Sequence, residues 1–216
     1  MTDQVQKLTS LQKSMARQMT KSLEAPQFQL ATDVDCTRLL EFKKRSPFKP
    51  SVTTILAKLV ADELVKFPLL NSSWNEDAII LHEEVNLGIA VDTKRGLLVP
   101  VIRDASQKDL QEIHRGMELI KEKRESGKFS MDDLADATFT ISNLGAFNIS
   151  FFSAIVNMPQ VGILAVSKMT EMPVVRFGQI TTASVMRLCL SMDHRVVDGA
   201  YGSRFMSELA ASIENL

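Results

Sequence analysis

The chain has 216 residues, 45% of them hydrophobic and 24% charged, a composition that excludes disordered and low-complexity architectures. With 25 Lys plus Arg against 26 Asp plus Glu, the formal charge of −1 supplies no global field to hold a nucleic acid backbone. Cys36 and Cys189 lie far apart and in no CxxC pair, and no apolar run approaches the roughly 18 residues that span a bilayer. The expectation is a soluble, cytoplasmic protein of a reducing compartment, with neither a membrane nor a nucleic acid as partner and no metal site.

Leu11, Met15, Met19 and Leu23 recur every four residues behind Thr9 and Ser10, predicting an amphipathic helix over 8–23 that ends before Pro26. Phe28, Leu30, Thr32 and Val34 then alternate with polar or small residues, the pattern of a half-buried strand ending near Asp35. The basic run Lys43-Lys44-Arg45, with Lys49 beyond it, reads as a solvated loop through Pro47 and Pro50. Ser51 then caps a helix carrying Ile55, Leu56, Leu59, Val60 and Leu64 and stopped by Pro68. Strand-like runs follow over 78–81, 85–91 and 97–102, with Asp92 to Gly96 as a hairpin turn between the last two. Ser106 starts a helix through about 125 that Gly127 closes. Strands over 137–142, 161–167 and 183–192 precede a final helix from Gly199 with Phe205, Leu209 and Ile213 on one face. Helices and strands are interleaved, which predicts one mixed α/β domain over 1–216 rather than two.

Of the three histidines, His82 and His114 sit beside charged neighbours and read as surface residues. His194 differs, because it follows a run with apolar residues at 188, 190 and 192 and precedes Arg195-Val-Val-Asp198-Gly199, where a helix starts. An imidazole at a strand end, titrating nearest neutrality, suits a general base for a thiol or hydroxyl; a satisfied structural histidine fits the same local pattern. Asp198 either faces His194 four residues away or caps the helix beginning at Gly199. The run Thr138-Phe-Thr-Ile-Ser142-Asn143-Leu-Gly145 places Ser142 at a strand end, where its hydroxyl could donate to an oxyanion or bond its own turn. Cys189, between leucines in mid-strand, reads as an inert buried thiol.

Taken together, Leu190-Ser-Met-Asp-His-Arg-Val-Val-Asp-Gly-Ala200 resembles the DHRxxDG signature of the acyltransferase (E2) components of 2-oxo acid dehydrogenase complexes. Thr138 to Gly145, Val85 to Asp104 and Ile155 to Ser167 agree with the same family, in its order. The resemblance implies a chloramphenicol acetyltransferase-like α/β two-layer sandwich with a mixed sheet. It also implies transfer of an acyl group between coenzyme A, as cosubstrate, and dihydrolipoamide. Carried over, His194 corresponds to the family's general base, Ser142 to the hydroxyl that stabilises the oxyanion, and Asp198 to the signature Asp that maintains the site's architecture. The family further implies a homotrimer with its active site between subunits, and partnership with a lipoyl-bearing protein and with E1 and E3 components. In a eukaryote the compartment would be the mitochondrial matrix.

The sequence also departs from the family pattern. Where relatives carry an Arg near the end of the first helix that pairs with the signature Asp, this chain has Gln18, so either Arg17 substitutes or Asp198 uses other partners. No stretch resembles a lipoyl or peripheral-subunit-binding domain, so the lipoyl group is expected from another domain or chain. The ending Glu214-Asn215-Leu216 is shorter than the leucine-rich tail of cage-forming relatives and predicts a trimer with little or no cage assembly. Gly199-Ala200 resembles acetyl and branched-chain enzymes more than succinyl ones, and acetyl is favoured. A related transferase with a different acceptor and a non-catalytic scaffold are the alternatives.

Overall fold

The computed structural model describes residues 3–216. A seven-stranded mixed sheet dominates it, ordered β1-β9-β8-β7-β4-β5 with β6 beside β4. The strands are β1 (Gln27–Asp35), β4 (Leu87–Thr93), β5 (Gly96–Leu98), β6 (Val101–Ile102), β7 (Phe139–Asn143), β8 (Gly162–Arg176) and β9 (Gln179–Asp193). β7 runs parallel to both β4 and β8, and the other pairings are antiparallel. A separate two-stranded sheet joins β2 (Ser72–Asn75) to β3 (Ala78–Leu81).

Because side chains alternate along a strand, the register sorts each strand into two faces. Leu87, Ile89, Phe139, Ile141, Leu164, Val166, Leu188, Leu190 and Met192 belong to the core cluster. There they meet α2 (Thr37–Arg45), α3 (Val52–Lys66), α4 (Leu110–Ser126) and α5 (Gly199–Glu214) through Leu39, Ile55, Leu56, Ile113, Phe205 and Leu209. The residues between them, among them Ala90, Thr140, Ser142, Ala165, Cys189, Ser191 and Asp193, face the opposite way. The segment before β8 reaches that second face, and α1 (Ser10–Ser22) bonds to this segment. Gln160 Oε1 accepts from Thr140 Oγ1 at 2.6 Å, Gln27 Oε1 accepts from Val156 N at 3.0 Å, and Gln18 Nε2 donates to Asn157 Oδ1 at 3.2 Å.

The helix ends follow local chemistry. Thr9 and Gln12 form a reciprocal capping box on α1, and Asp109 and Glu112 form one on α4. Ser51 Oγ accepts from Thr54 N at 3.0 Å. Gly127 closes α4 with φ 69°, a conformation that costs glycine little.

Four expectations are corrected. The basic run is the last turn of α2, an element that begins at Thr37 behind Cys36, which supplies no side-chain cap; its three cations complement the carbonyl end of the helix dipole. α4 starts at Leu110 rather than Ser106, because Asp104 (φ 46°) and a short 3₁₀ turn over Ala105–Gln107 intervene. The strand expected over 97–102 breaks at Pro100 into β5 and β6. Pro100 has no N–H to donate, and its carbonyl accepts from Ile89 N at 2.8 Å. β8 and β9 run on well past the expected ends and meet in a two-residue turn at Phe177 (φ 52°) and Gly178 (φ 78°), left-handed at both positions as tight hairpins require. Among the described residues, no helix is long and apolar enough to cross a membrane, and no group of three or more His, Cys, Asp or Glu could hold a metal ion.

Candidate active site

His194 lies one residue past the end of β9, in a bend closed by α5. Its N–H donates to Pro26 O at 3.0 Å, Asp193 N donates to Val161 O at 2.8 Å, and Val196 N and Val197 N both reach Asp193 O at 3.1 Å. The backbone is thereby tied to the entry of β1 and to the entry of β8. The imidazole itself is exposed, and its only aromatic neighbour among the described residues is Phe28, edge-on at 5.2 Å between centroids. A histidine so held is available to an external substrate rather than consumed by internal partners.

Two flanking charges complete the bend. Asp193 is fully buried, and Arg195 answers it with Nε to Oδ1 at 2.9 Å, Nη2 to Oδ2 at 2.6 Å and its own backbone N to Oδ1 at 3.0 Å. By accepting these hydrogen bonds the Asp193 carboxylate raises the guanidinium's pKa. Beyond it, the Arg195 guanidinium carbon lies 4.6 Å from the Trp74 ring centroid. The charges beside His194 are visible in the sequence. Their pairing with each other, and the contribution of a tryptophan 120 residues away, are not.

Asp198 does not pair with His194. Its carboxylate caps α5, accepting from Tyr201 N at 2.7 Å, which is the second of the two roles its position allowed. Nor does the first helix supply a partner. Gln18 donates to Asn157 Oδ1 and to the Met158 carbonyl, Arg17 is exposed, and among the described residues neither bonds to Asp198.

Ser142 is half-buried on β7, flanked by Ala90 on β4 and Ala165 on β8, so small neighbours leave its hydroxyl uncrowded. The turn after it is bonded by Asn143 instead: Oδ1 accepts from Gly145 N at 2.8 Å, and Nδ2 donates to Thr53 Oγ1 at 2.9 Å. Among the described residues the Ser142 hydroxyl makes no hydrogen bond. Asn143, Gly145, Ala146 and Ser167 line a cleft of about 350 Å³ at this end of the sheet.

Ser142 and His194 do not meet within one chain. Ser142 is level with Ala165, and Ala165 with Cys189, five residues short of His194. At about 3.3 Å per residue along the strand and about 4.8 Å per strand across the sheet, the two backbones are roughly 19 Å apart. They also lie on opposite faces, since His194 rests on Phe28, which shares the face of Met192.

The remaining candidates are accounted for locally. His82 is half-buried rather than superficial, with Nε2 2.7 Å from Ser73 Oγ, and burial lowers its pKa. It lines a polar cleft of about 680 Å³ with Gln18, Asn86 and Gln160, which none of Ser142, His194 and Asp198 borders. His114, likewise half-buried rather than superficial, packs against Phe48 at 5.1 Å. Both thiols are buried, and burial pushes Cys189 up and Cys36 up to about 12.

The architecture matches chloramphenicol acetyltransferase over 92% of each chain with a TM-score of 0.57 at 15% identity, a likeness of fold alone. Residues 1–216 match the 2-oxoacid dehydrogenases acyltransferase (catalytic domain) family, and the chain belongs to that family. It is similar to the dihydrolipoamide acetyltransferase of Azotobacter vinelandii, with a TM-score of 0.94, 34% identity, and coverage of 99% of this chain and 92% of that one. A probable dihydrolipoamide acetyltransferase from Listeria monocytogenes matches with a TM-score of 0.92 and 32% identity, over 99% and 95% of the respective chains. The dihydrolipoyllysine-residue acetyltransferase component of the Rickettsia felis pyruvate dehydrogenase complex is 34% identical over 215 residues, 95% of this chain and 52% of that protein. The chain thus spans about half the length of the curated relatives it matches.

Proposed function

We propose that this chain is an acyltransferase unit that moves an acyl group, acetyl by preference, between coenzyme A and dihydrolipoamide. The lipoyl group is carried by another domain or chain, and E1 and E3 components act before and after it. One observation carries the residue assignment. In the Azotobacter vinelandii enzyme, the catalytic mechanism was investigated at a Ser, at a His 52 positions after it and at an Asn four beyond the His. Ser142, His194 and Asp198 stand at the same intervals. Asp198 replaces the Asn, and its use as a helix cap fits a role in holding the site's shape.

In this reading His194 accepts the proton of the incoming thiol, whose pKa near ~8.5 leaves it mostly protonated at neutral pH. The thiolate so formed attacks the thioester carbonyl carbon. The Ser142 hydroxyl donates to the oxygen on which charge develops, and His194 returns the proton to the departing sulfur as the old C–S bond breaks. No acyl group passes through the protein. Both side chains must be within about 3 Å of one thioester group, whereas one chain holds them far apart. The reading therefore requires His194 of one copy and Ser142 of another, as in a homotrimer whose sites lie between subunits.

The test is thioester exchange with dihydrolipoamide and acetyl-CoA, isobutyryl-CoA or succinyl-CoA. The expected result is turnover fastest with acetyl-CoA and lost in His194→Ala. Activity that survives His194→Ala overturns the general-base role. A parent inactive with every donor overturns acyl transfer between these substrates and leaves the scaffold or another acceptor.

A further inference from the structure

The bend that presents His194 is closed by a side-chain pair that straddles it. Asp193 and Arg195 are two residues apart, and their bidentate bond shuts a ring around the intervening histidine, restricting its backbone and directing its imidazole outward. A fully buried carboxylate is costly to leave unpaired, so Asp193 keeps Arg195 in place only as long as the guanidinium stays over it. Arg195 retains an exposed flank through which it could leave for solvent, and Trp74 holds another side of the guanidinium, its ring centroid 4.6 Å from the guanidinium carbon.

Trp74 belongs to β2, outside the main sheet. Its own N–H donates to Pro159 O at 3.0 Å and the preceding Ser73 bridges to Gln160, so the small sheet is fastened to the segment leading into β8. The strand paired with it, β3, is exposed along its whole length. Trp74 itself is only half-buried and is absent from the core cluster. Its position is explained by the guanidinium beneath it better than by any share in the core.

We propose that Trp74 is a positioning residue for acyl transfer: its indole face retains Arg195, Arg195 retains Asp193, and the closed pair holds the loop from which His194 works. A cation over an indole face is attracted by the ring quadrupole and shielded from competing water. Without the ring, Arg195 gains freedom and the bend loosens. The activity arm of this proposal rests on the acyl-transfer reading, so its test includes a measurement independent of turnover.

Trp74→Ala, Trp74→Phe and Arg195→Lys are compared with the parent by steady-state kinetics and by amide hydrogen exchange of the 190–198 segment. A misplacement of about 1 Å can cost 10²-fold in rate, so Trp74→Ala is expected to lower kcat by about tenfold or more, with KM for both substrates within about twofold. Trp74→Phe, which keeps an aromatic face, recovers most of that loss. The 190–198 amides exchange faster in Trp74→Ala and in Arg195→Lys, which keeps the charge but loses the fork. Trp74 is the only tryptophan in the chain, so its fluorescence should also change in Arg195→Lys. Parental kcat in Trp74→Ala, or a loss confined to KM, overturns the proposal. Unchanged exchange of 190–198 in both Trp74→Ala and Arg195→Lys overturns it even where no acyl transfer is detected in the parent. Faster exchange in an inactive parent's variants supports the lock while the acyl-transfer reading falls alone.

Discussion

Mixing a Ser142→Ala chain with a His194→Ala chain should give far more activity than either possesses alone. The separation of roughly 19 Å between the two backbones follows from strand register, and it exceeds what a histidine and a serine side chain can close around one thioester. In the proposed assembly, with head-to-tail contacts, each site would take its base from one subunit and its hydroxyl donor from the next. A site in a randomly mixed ring works only when the first subunit carries Ser142→Ala and the second carries His194→Ala, so about a quarter of sites are intact whatever the ring size. Homogeneous Ser142→Ala should retain about 10⁻² to 10⁻³ of parental kcat, the usual consequence of removing one oxyanion donor. Co-refolding the two variants at equal concentration and assaying acetyl transfer to dihydrolipoamide should therefore give about 25% of parental activity, as expected for random closed-ring assembly. A mixture no more active than its two components would refute the argument. It would mean that both groups act within one chain, by a rearrangement of the sheet, or that one of them does not act at all.

Two further outcomes concern stability. Gly162 and Gly116 should respond to alanine with opposite signs. A Cβ on Gly162 would lie 2.6 Å from Cε2 of the fully buried Phe139 ring, so Gly162→Ala should cost about 1–3 kcal/mol. On Gly116, inside α4, the nearest atoms are 3.6 Å away on Ile102, and alanine should add up to about 1 kcal/mol through helix propensity. Thermal midpoints moving in the same direction would contradict this. Acid should weaken the molecule through aspartates paired with cations, Asp33 and Asp133 among them. Arg187 holds Asp33, and Lys123 holds Asp133, below the usual carboxylate range by hydrogen bonding. Their contribution is complete above the unfolded pKa of about 3.9 and is lost as pH falls through the lower folded values. Urea unfolding from pH 5 to pH 3 should show a smaller decline in Asp33→Asn than in the parent, and equal declines would remove Asp33 from the account.

The sequence revealed elements where periodicity and caps agreed. α1, α3 and α5 combine an apolar stripe with Thr9, Ser51 or Asp198 at the N-terminus, and β1 alternates along its whole length. α2 was hidden because Cys36 offers no cap and three cations at its end resemble a solvated loop. The outer halves of β8 and β9 were hidden because their residues are largely exposed, so no apolar alternation marks them. Within the site, His194 and Ser142 were visible as polar residues at the ends of apolar strands. Their separation was not, because it depends on which residues pair across three strands. The Asp193–Arg195–Trp74 arrangement required a contact between β2 and the end of β9, and local pattern carries no information about it.

The placement of Ser142 and His194 also bears on the life of a newly made chain. In the proposed reading each molecule carries the base half of one reaction centre and the donor half of another, so a lone chain would be inert toward thioesters even when fully folded and would become competent only with ring closure. Specific activity measured on dilution should track the population of closed rings rather than the amount of folded protein. On that reading assembly would act as an interlock that keeps energy-rich acyl groups from being discharged by unassembled subunits.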